Sequence, residues 1–246
     1  MTAAAGGESA EAGGKVVLPF SFGVLHRNDR FPHLYWQNFL SVDPAQELSA
    51  DVLIAEVDRL FADLPIRHVL VDDAETADRL RPGFLERRYK EAVFVTMVLR
   101  RTPDREPPPA DVVEVSAADL APTVEAFGRE VRDEDAVREL CQLKEESGRN
   151  GVRFLAAVVD GDIAGWCEIR YPESAGQVED VVVLEPFRGR GLARALVGRA
   201  VERLRSDGCD PIFVVANDKD TVKDLYRRLG FDDVERRWSF WWPGPW

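Results

Sequence analysis

The stretch from Val178 to Ala200 constrains the fold most, because it joins a strand directly to a helix through a short basic turn. Val178 to Leu184 is dense in β-branched residues, which is typical of a strand buried on both faces. After the turn, apolar residues recur at helical spacing and predict one buried stripe: Leu192, Leu196, Ala200, Val201 and Leu204. The sequence therefore predicts a strand that leads directly into an amphipathic helix.

The turn itself has the sequence Arg188-Gly189-Arg190-Gly191-Leu192-Ala193. Its glycines allow the backbone to come close to a ligand, and the first amides of the following helix have no partners within that helix. Since the helix dipole is positive at this end, the turn is suited to bind an anion. A charged strand–helix loop without a ligand is the alternative interpretation.

Spacing separates the phosphate-binding families that use such turns. A P-loop requires Lys followed by Ser or Thr after its last glycine, and a dinucleotide-binding fingerprint requires Gly or Ala where Arg194 stands. The turn instead resembles the pyrophosphate-binding turn of the GCN5-related N-acetyltransferases (the GNAT superfamily), Arg/Gln-x-x-Gly-x-Gly/Ala, which Arg188, Gly191 and Ala193 match. The preceding Val181-x-Val183 resembles the strand that leads into that family's turn.

The elements from Asp111 to Trp242 also resemble that family in their order. A strand, two helices and a hairpin precede the central strand, and Asp160-Gly161-Asp162 predicts the hairpin turn. The predicted elements are Val112–Val115, a helix from Ser116 through Phe127, a helix over Asp133–Glu146, Val152–Val159, Ile163–Tyr171, Val178–Leu184, Leu192–Ser206, Ile212–Ala216, Thr221–Leu229 and Val234–Trp242. The resemblance implies a mixed α/β GNAT fold.

The preceding part of the chain repeats the order strand, helix, strand, helix, strand. Its predicted elements are Leu34–Leu40, Ala50–Leu64, His68–Val71, Thr76–Arg81 and Ala92–Leu99, with a turn at Gly83-Phe84 that corresponds to Gly230-Phe231. Ser41 to Glu47, where a cofactor turn would lie, contains no glycine. We therefore expect a truncated, degenerate GNAT-like domain, although strand–helix alternation is common in any α/β protein.

Composition predicts the domain boundaries. Residues 1–14 contain little apolar bulk, which predicts a disordered tail. Residues 102–110, TPDREPPPA, have four prolines and predict an extended linker. The predicted domains are residues 15–101, GNAT-like without a cofactor turn, and residues 111–246, the catalytic GNAT domain.

The chain is acidic, with a net charge of −12 and a pI near 4.8. This charge argues against binding to nucleic acid or to an anionic membrane surface, because both are negatively charged and bind positively charged protein surfaces. It favours a cationic or amine-bearing partner. No window approaches the roughly 20 apolar residues of a membrane span, and the N-terminus lacks a basic segment followed by an apolar core.

The cysteines and histidines exclude several kinds of site. Neither the zinc-binding nor the disulfide-scaffold spacing is found among the three cysteines, Cys141, Cys167 and Cys209. A cytoplasmic protein without a metal is therefore predicted. A Cys–His or Ser–His nucleophile within residues 111–246 is excluded, because the only histidines are His26, His33 and His68.

The GNAT resemblance implies acetyl-CoA as the cosubstrate. Its pyrophosphate would lie on the amides of Arg188 to Ala193, with Arg188 and Arg190 adding charge at the rim. Its pantetheine arm would pair with the backbone near Val181 to Val183, where an amide would stabilise the oxyanion. The acetyl group would pass directly to a primary amine of a small molecule or protein in a ternary complex.

Tyr226 is the predicted general acid. It lies in Leu225-Tyr226-Arg227-Arg228-Leu229-Gly230-Phe231, which resembles the family's Leu-Tyr-x-x-x-Gly-Phe signature, and a phenol can protonate the departing thiolate. A tyrosine that only packs the helix is the alternative. Asn217 lies nine residues before Tyr226, whereas the family often has an Asn seven residues before, so we do not expect Asn217 to hold the cofactor arm.

Glu179 is the predicted general base. Strict alternation along the strand would place it on the same face as Val181 and Val183. Glu168 and Asp180 are competing candidates, and each of the three carboxylates is also explained as a solvated strand-edge group.

Two other functions fit the same turn: a non-catalytic acyl-CoA sensor or partner-binding module, and a nucleotide-binding regulator. The Trp-rich end, residues 238–246, is expected to pack in the core, with an acceptor pocket or a dimer contact as alternatives. Either a monomer or a homodimer is compatible with the sequence.

Overall fold

The computed structural model describes residues 9–11, 15–44, 47–131 and 133–242. The chain divides into two compact units. The first runs to Phe94 and takes in the chain again from Arg236, and the second spans Val95–Glu235. Residues 102–110, which the sequence predicts to be a linker between domains, lie wholly within the second unit.

The first unit contains five strands and two helices of its own among the described residues: β1 Ser9–Glu11, β2 Lys15–Phe20, β3 Gly23–Asn28, β4 Phe39–Val42, α1 Ala50–Leu60, β5 Arg67–Val71 and α2 Ala74–Glu86. The strands follow the order β1-β2-β3-β4-β5, and β4 and β5 are parallel while the other pairs are antiparallel. Strand β6, Lys90–Leu99, begins in this unit and ends in the second.

Helices α1 and α2 pack on one core of the first unit. Each helix begins with a side-chain cap, Ser49 accepting from the Val52 amide and Asp73 from the Thr76 amide. The fully buried side chains include Leu53, Val57, Phe61, Val69, Val71, Ala77 and Phe84.

Several predictions for the first unit were wrong. The predicted strand over Leu34–Leu40 is a 3₁₀ turn over Tyr35–Gln37 followed by β4, because the buried Asn38 side chain bonds the amide of Asn28 and two nearby carbonyls. The β2–β3 hairpin was not predicted. Ser9–Glu11 of the predicted tail pairs with β2, and the rest of residues 1–14 lies outside the described residues.

Gly83-Phe84 is not a turn but part of α2, and Pro82 also lies inside that helix. A Cβ at Gly83 would lie 2.5 Å from the Cβ of Ala50, so this glycine allows α2 to approach α1 closely. Gly230, its predicted counterpart, does lie in a turn and has φ of +97°. The two glycines therefore serve different purposes.

The second unit holds the remaining elements: β7 Asp111–Val115, α3 Ala117–Val131, α4 Glu134–Arg149, β8 Arg153–Val159, β9 Asp162–Arg170, β10 Gly176–Val183, α5 Leu192–Ser206, β11 Ile212–Asn217 and α6 Val222–Arg228. The strand order is β11-β10-β9-β8-β7, with β10 and β11 parallel and the other pairs antiparallel. The last strand, β12 Phe231–Trp242, begins in this unit and ends in the first.

Helices cover both faces of this sheet. On one face, α5 packs against Cys167, Ile169 and Val178 of β9 and β10. On the other face, α3 packs against Phe154 and Trp166 of β8 and β9. The predicted mixed α/β fold is confirmed, and α5 has its predicted bounds because its apolar stripe is long and regular.

Candidate active site

The basic turn connects β10 to α5 through a 3₁₀ turn at Glu185–Phe187. Gly189 and Gly191 have φ of +78° and +81°, which favour glycine. Gly191 is the N-cap and no side chain caps this helix end. The first bond of the helix runs from the Ala195 amide to the Gly191 carbonyl at 3.1 Å, so the three preceding amides lie outside the helical ladder.

An open cleft of about 240 Å³ lies at this helix end. Six of the eight predicted cofactor-binding residues line it: Val183, Arg188, Gly189, Gly191, Leu192 and Ala193. Val181 and Arg190 are not among the lining residues. The guanidinium of Arg190 instead lies 5.4 Å from the centre of the Phe187 ring and donates to the Pro186 carbonyl at 3.4 Å.

Four arginines line the cleft, and the sequence predicted only Arg188 among them. The others are Arg105, Arg194 and Arg228. Arg188 donates from Nε to the Val183 carbonyl at 3.0 Å, which ties the turn to the end of β10. This concentration of positive charge in an acidic chain suits an anionic ligand.

The last residues of β10 have one free edge. The register of β10 with β11 covers only residues 176–178 and 212–214, whereas pairing with β9 continues to Val183. The Leu184 amide donates to the Ala164 carbonyl at 2.9 Å. Because backbone groups alternate in direction along a strand, the amide and carbonyl of Val183 point away from β9. The Val183 carbonyl accepts from Arg188, and the Val183 amide is left open to a ligand lying along this edge.

A β-bulge in β10 changes the predicted position of Glu179. Glu179 pairs with Glu168 and Val182 with Trp166, so β10 has one extra residue in this interval. Asp180, in the bulge, has φ of +51°. Because of this extra residue, Glu179 shares a face with Val182, and the prediction that it shares a face with Val181 and Val183 was wrong.

The face that carries Glu179 holds a cluster of five charged groups. Lys144 of α4 forms ion pairs with Glu168 and, at 2.6 Å, with Asp180. Arg170 of β9 bridges Glu168 and Glu179, each at 2.7 Å. Asp180 also accepts from the Trp166 indole at 3.4 Å. The cluster contains three carboxylates and two cations, and sequence reasoning missed both cations.

The three carboxylates differ in exposure and in pKa. Glu168 is 3% exposed, whereas 43% of the Glu179 side chain and 40% of the Asp180 side chain are exposed. Desolvation raises the pKa of Glu179 and outweighs the opposing effect of Arg170. For Asp180, desolvation acts in the same direction, but the attraction and hydrogen bond of Lys144 leave the pKa lowered overall.

Tyr226 lies on the opposite side of β10, in the core that includes Cys167 and the partly buried Val181 and Val183. It is 5% exposed, and its ring contacts Phe231 edge-on at 6.0 Å. Burial raises the pKa of its hydroxyl well above the usual range, and the neighbouring Cys167 adds to the rise. No hydrogen bond of this hydroxyl is found within the described parts of the chain.

Asn217 does not reach the cleft lining. Its side chain accepts from the Lys219 amide at 3.0 Å and so closes its own loop. The described residues contain no group of three or more His, Cys, Asp or Glu that could bind a metal. None of the helices described is long and apolar enough to span a membrane.

The structure and sequence both resemble known acetyltransferases. Residues 117–231 match the family model described as the acetyltransferase (GNAT) family. A functionally unknown conserved protein from Staphylococcus epidermidis has a TM-score of 0.67 at 16% identity, over 98% of this chain and 95% of that one.

Two further solved structures share the fold. A GCN5-related N-acetyltransferase from Sphaerobacter thermophilus has a TM-score of 0.58 at 20% identity, covering 91% of this chain and 81% of that one. A tandem GNAT protein from the clavulanic acid biosynthesis pathway has a TM-score of 0.58 at 18% identity, covering 96% and 82%. The predicted degenerate N-terminal GNAT-like half is consistent with this tandem arrangement. Residues 117–231 therefore form a domain that matches the GNAT family of acetyltransferases.

Proposed function

We propose that this protein transfers the acetyl group of acetyl-CoA to a primary amine, by direct transfer in a ternary complex. The observation that supports this most is the uncapped helix end at Gly191, which opens into a cleft lined by arginines beside the free edge of β10. Acetyl-CoA would supply an acetyl group activated as a thioester.

The residues of the turn fit the diphosphate of coenzyme A. The amides of Leu192, Ala193 and Arg194 are outside the helical ladder, and the positive end of the α5 dipole adds to their attraction for an anion. Gly189 has open space where a side chain would stand, so a diphosphate can approach the backbone there. Val181 and Val183 would pair with the pantetheine arm through the free edge of β10.

Glu179 would act as the general base, directly or through water. Among the three clustered carboxylates it is the one that Lys144 does not contact, it is partly exposed, and its pKa is raised. A raised pKa brings a carboxylate closer to the working pH, which favours proton transfer from an ammonium group. Glu168 is too deeply buried for this role, and Asp180 is held ionised by Lys144.

Tyr226 would give its proton to the departing thiolate, and the backbone amide of Val183 would stabilise the oxyanion. Glu179 and Tyr226 lie on opposite faces of the sheet, on either side of β10. The amine would therefore approach from the Glu179 face, while the leaving sulfur would be protonated from the Tyr226 face.

The experiment is an assay of free thiol released from acetyl-CoA in the presence of a panel of primary amines. Tyr226→Phe and Glu179→Gln should each lower kcat by about 10²- to 10⁴-fold, which is the usual contribution of a general acid or base. Tyr171→Phe is the matched control, since the Tyr171 hydroxyl bonds Asp207 at 2.8 Å outside the cleft lining. Equal turnover in all variants would contradict both roles.

A non-catalytic acyl-CoA sensor is the second candidate, and the depth of Tyr226 favours it. A phenol that is 5% exposed exchanges its proton with solvent poorly, so a packing role is compatible with its position. Tight binding of acetyl-CoA without thiol release, unaltered in Tyr226→Phe, would support the sensor.

A further inference from the structure

Arg194 has an unusual position for an arginine. It lies in the first turn of α5, on a helix face that is otherwise apolar, and is 3% exposed. Arg194 is also one of the residues that line the cleft at the helix end. A buried guanidinium needs partners, because an unpaired charge in the interior is costly.

One edge of the guanidinium has such partners. Nη1 donates to the Asp104 carboxylate at 2.8 Å and to the Arg105 carbonyl at 3.3 Å. Asp104 is held in turn by its own amide, which donates to the Arg228 carbonyl at 2.8 Å. Arg194 lowers the pKa of Asp104, so this carboxylate stays ionised.

Residues 104–108, here called the strap, lie along the start of α5. A Cβ at Gly191 would lie 2.7 Å from Cγ of Pro108, and a Cβ at Gly198 would lie 2.7 Å from Cγ of Pro107. Both glycines thus allow the strap to approach the helix. The prolines restrict the strap backbone, so Asp104 and Arg105 are held where they anchor Arg194.

The other edge of the guanidinium has no partner. Nη2 of Arg194 is buried and makes no hydrogen bond within the described residues. A buried donor without an acceptor is destabilising, because its hydrogen bond to water is lost and nothing replaces it. Because this atom belongs to a residue that lines the cleft, a ligand with phosphate oxygens would supply the missing acceptor.

We propose that Arg194 is a binding residue for the anionic ligand, donating from Nη2 to a phosphate oxygen while the strap fixes its Nη1 edge. This inference rests on the proposed function, since it concerns the same cleft. It adds a charged side-chain contact to the backbone amides, and it gives residues 104–108 the role of holding that contact in place.

The test is calorimetric titration of the full chain with acetyl-CoA, ADP and inorganic pyrophosphate. Arg194→Met should weaken each ligand about 10- to 100-fold, as expected for loss of one charge-assisted hydrogen bond. Arg199→Met is the matched control, because Arg199 lies on the same helix, is 57% exposed and pairs with the exposed Glu202. This control should bind all three ligands as the wild type does.

The outcomes separate the two proposals. Unchanged affinity for acetyl-CoA in Arg194→Met would overturn the role of Arg194 and leave the proposed function standing. Pyrophosphate and ADP binding that depends on Arg194, without acetyl-CoA binding, would support the role of Arg194 and overturn the proposed function. A wild-type protein that binds none of the three would overturn both.

A measurement on the wild type covers the case in which Arg194→Met does not fold. In the NMR spectrum of arginine side chains, the Nε–Hε signal of Arg194 should shift when pyrophosphate is added, while that of Arg199 should not. A spectrum in which the Arg194 signal stays unchanged at saturating pyrophosphate would overturn the proposal.

Discussion

Ala193 occupies the second position of α5, where an introduced carboxylate would face the same amides as the ligand. An acidic side chain at a helix N-terminus stabilises the helix by about 0.3–1 kcal/mol. Ala193→Asp should therefore keep or raise the melting temperature, yet weaken acetyl-CoA at least tenfold because the carboxylate repels phosphate. Thermal melting and calorimetry check the two effects.

Ala118→Asp is the matched control for this prediction. Ala118 is exposed and lies at the second position of α3, so the same change acts on a helix end outside the cleft lining. It should leave affinity unchanged. An Ala193→Asp protein with wild-type affinity would show that the ligand does not bind at the α5 end.

The burial of His68 predicts that the stability of the protein depends on pH. Its ring is fully buried, with Nδ1 donating to the Tyr35 carbonyl and Nε2 accepting from the Ser239 hydroxyl, each at 2.8 Å. Burial lowers its pKa from 6.5 to about 4. Between these values the unfolded chain binds more protons than the folded chain, so the free energy of unfolding should fall by roughly 3 kcal/mol as the pH drops through this window.

Urea unfolding at pH 7 and pH 4.5 measures this effect. His68→Gln removes the titrating group, so the loss between the two pH values should be smaller in the variant than in the wild type by about 2 kcal/mol, because pH 4.5 lies above the pKa of the folded state. Equal losses in both proteins would show that His68 does not carry the pH dependence.

At the scale of elements, Lys144 links α4 to β9 and β10 through two carboxylates. The Lys144 side chain is 6% exposed, so Lys144→Met would remove from the interior a positive charge that balances the carboxylates of Glu168 and Asp180. Breaking a buried pair by removing one partner costs about 3–5 kcal/mol. Urea unfolding should show a loss of this size, and the double variant Lys144→Met/Glu168→Gln should recover part of it.

A matched surface pair gives the control. Arg129 and Glu125 on α3 are 65% and 46% exposed, and Arg129→Met should change stability by less than about 1 kcal/mol. If Lys144→Met were equally mild, the cluster would not be the link between helix and sheet that we infer.

These elements also show which features the sequence could predict. Helix α5 was predicted with its observed bounds because a long apolar stripe leaves few alternatives, and the glycine turn before it has a specific spacing. The bulge at Asp180 could not be predicted, because nothing in the local pattern marks one extra residue in β10. The prediction of the sheet face on which Glu179 lies was wrong because of this one residue.

Long-range partners were equally inaccessible from local sequence. Arg194 stands among apolar residues of α5. A charged residue on an apolar helix face is the one feature of the sequence that indicates a buried group with a partner. Its anchor, Asp104, lies 90 residues earlier in a segment that reads as a linker because of its prolines. The local sequence predicts a turn at Gly83. The glycine is instead explained by its close packing against Ala50 of another helix, which the local sequence does not show.

At the scale of the whole molecule, the end of β12 completes the first unit. Residues Trp238–Trp242 pair with Val71–Arg67 of β5, and Phe240 stacks on Phe84 with ring centres 4.7 Å apart. Phe240 is fully buried in the core of this unit. The first unit is therefore built from two separate parts of the chain.

A chain that ends at Glu235 should lose the folded first unit, because β5 loses its partner and the core loses Phe240. Hydrogen exchange should then be fast throughout β5. The lining of the cleft lies wholly within Val95–Glu235, so acetyl-CoA binding should remain. Protected β5 amides in this shortened chain would contradict the assignment of β12 to the first unit.

The central claim is that backbone amides between Arg188 and Ala193 bind a diphosphate. A titration of ¹⁵N-labelled protein with coenzyme A tests it most directly, read at the amides of Gly189, Gly191, Leu192 and Ala193. We expect these signals to shift together and to saturate with one binding constant. Saturation with these amides unchanged, and shifts elsewhere, would contradict the claim.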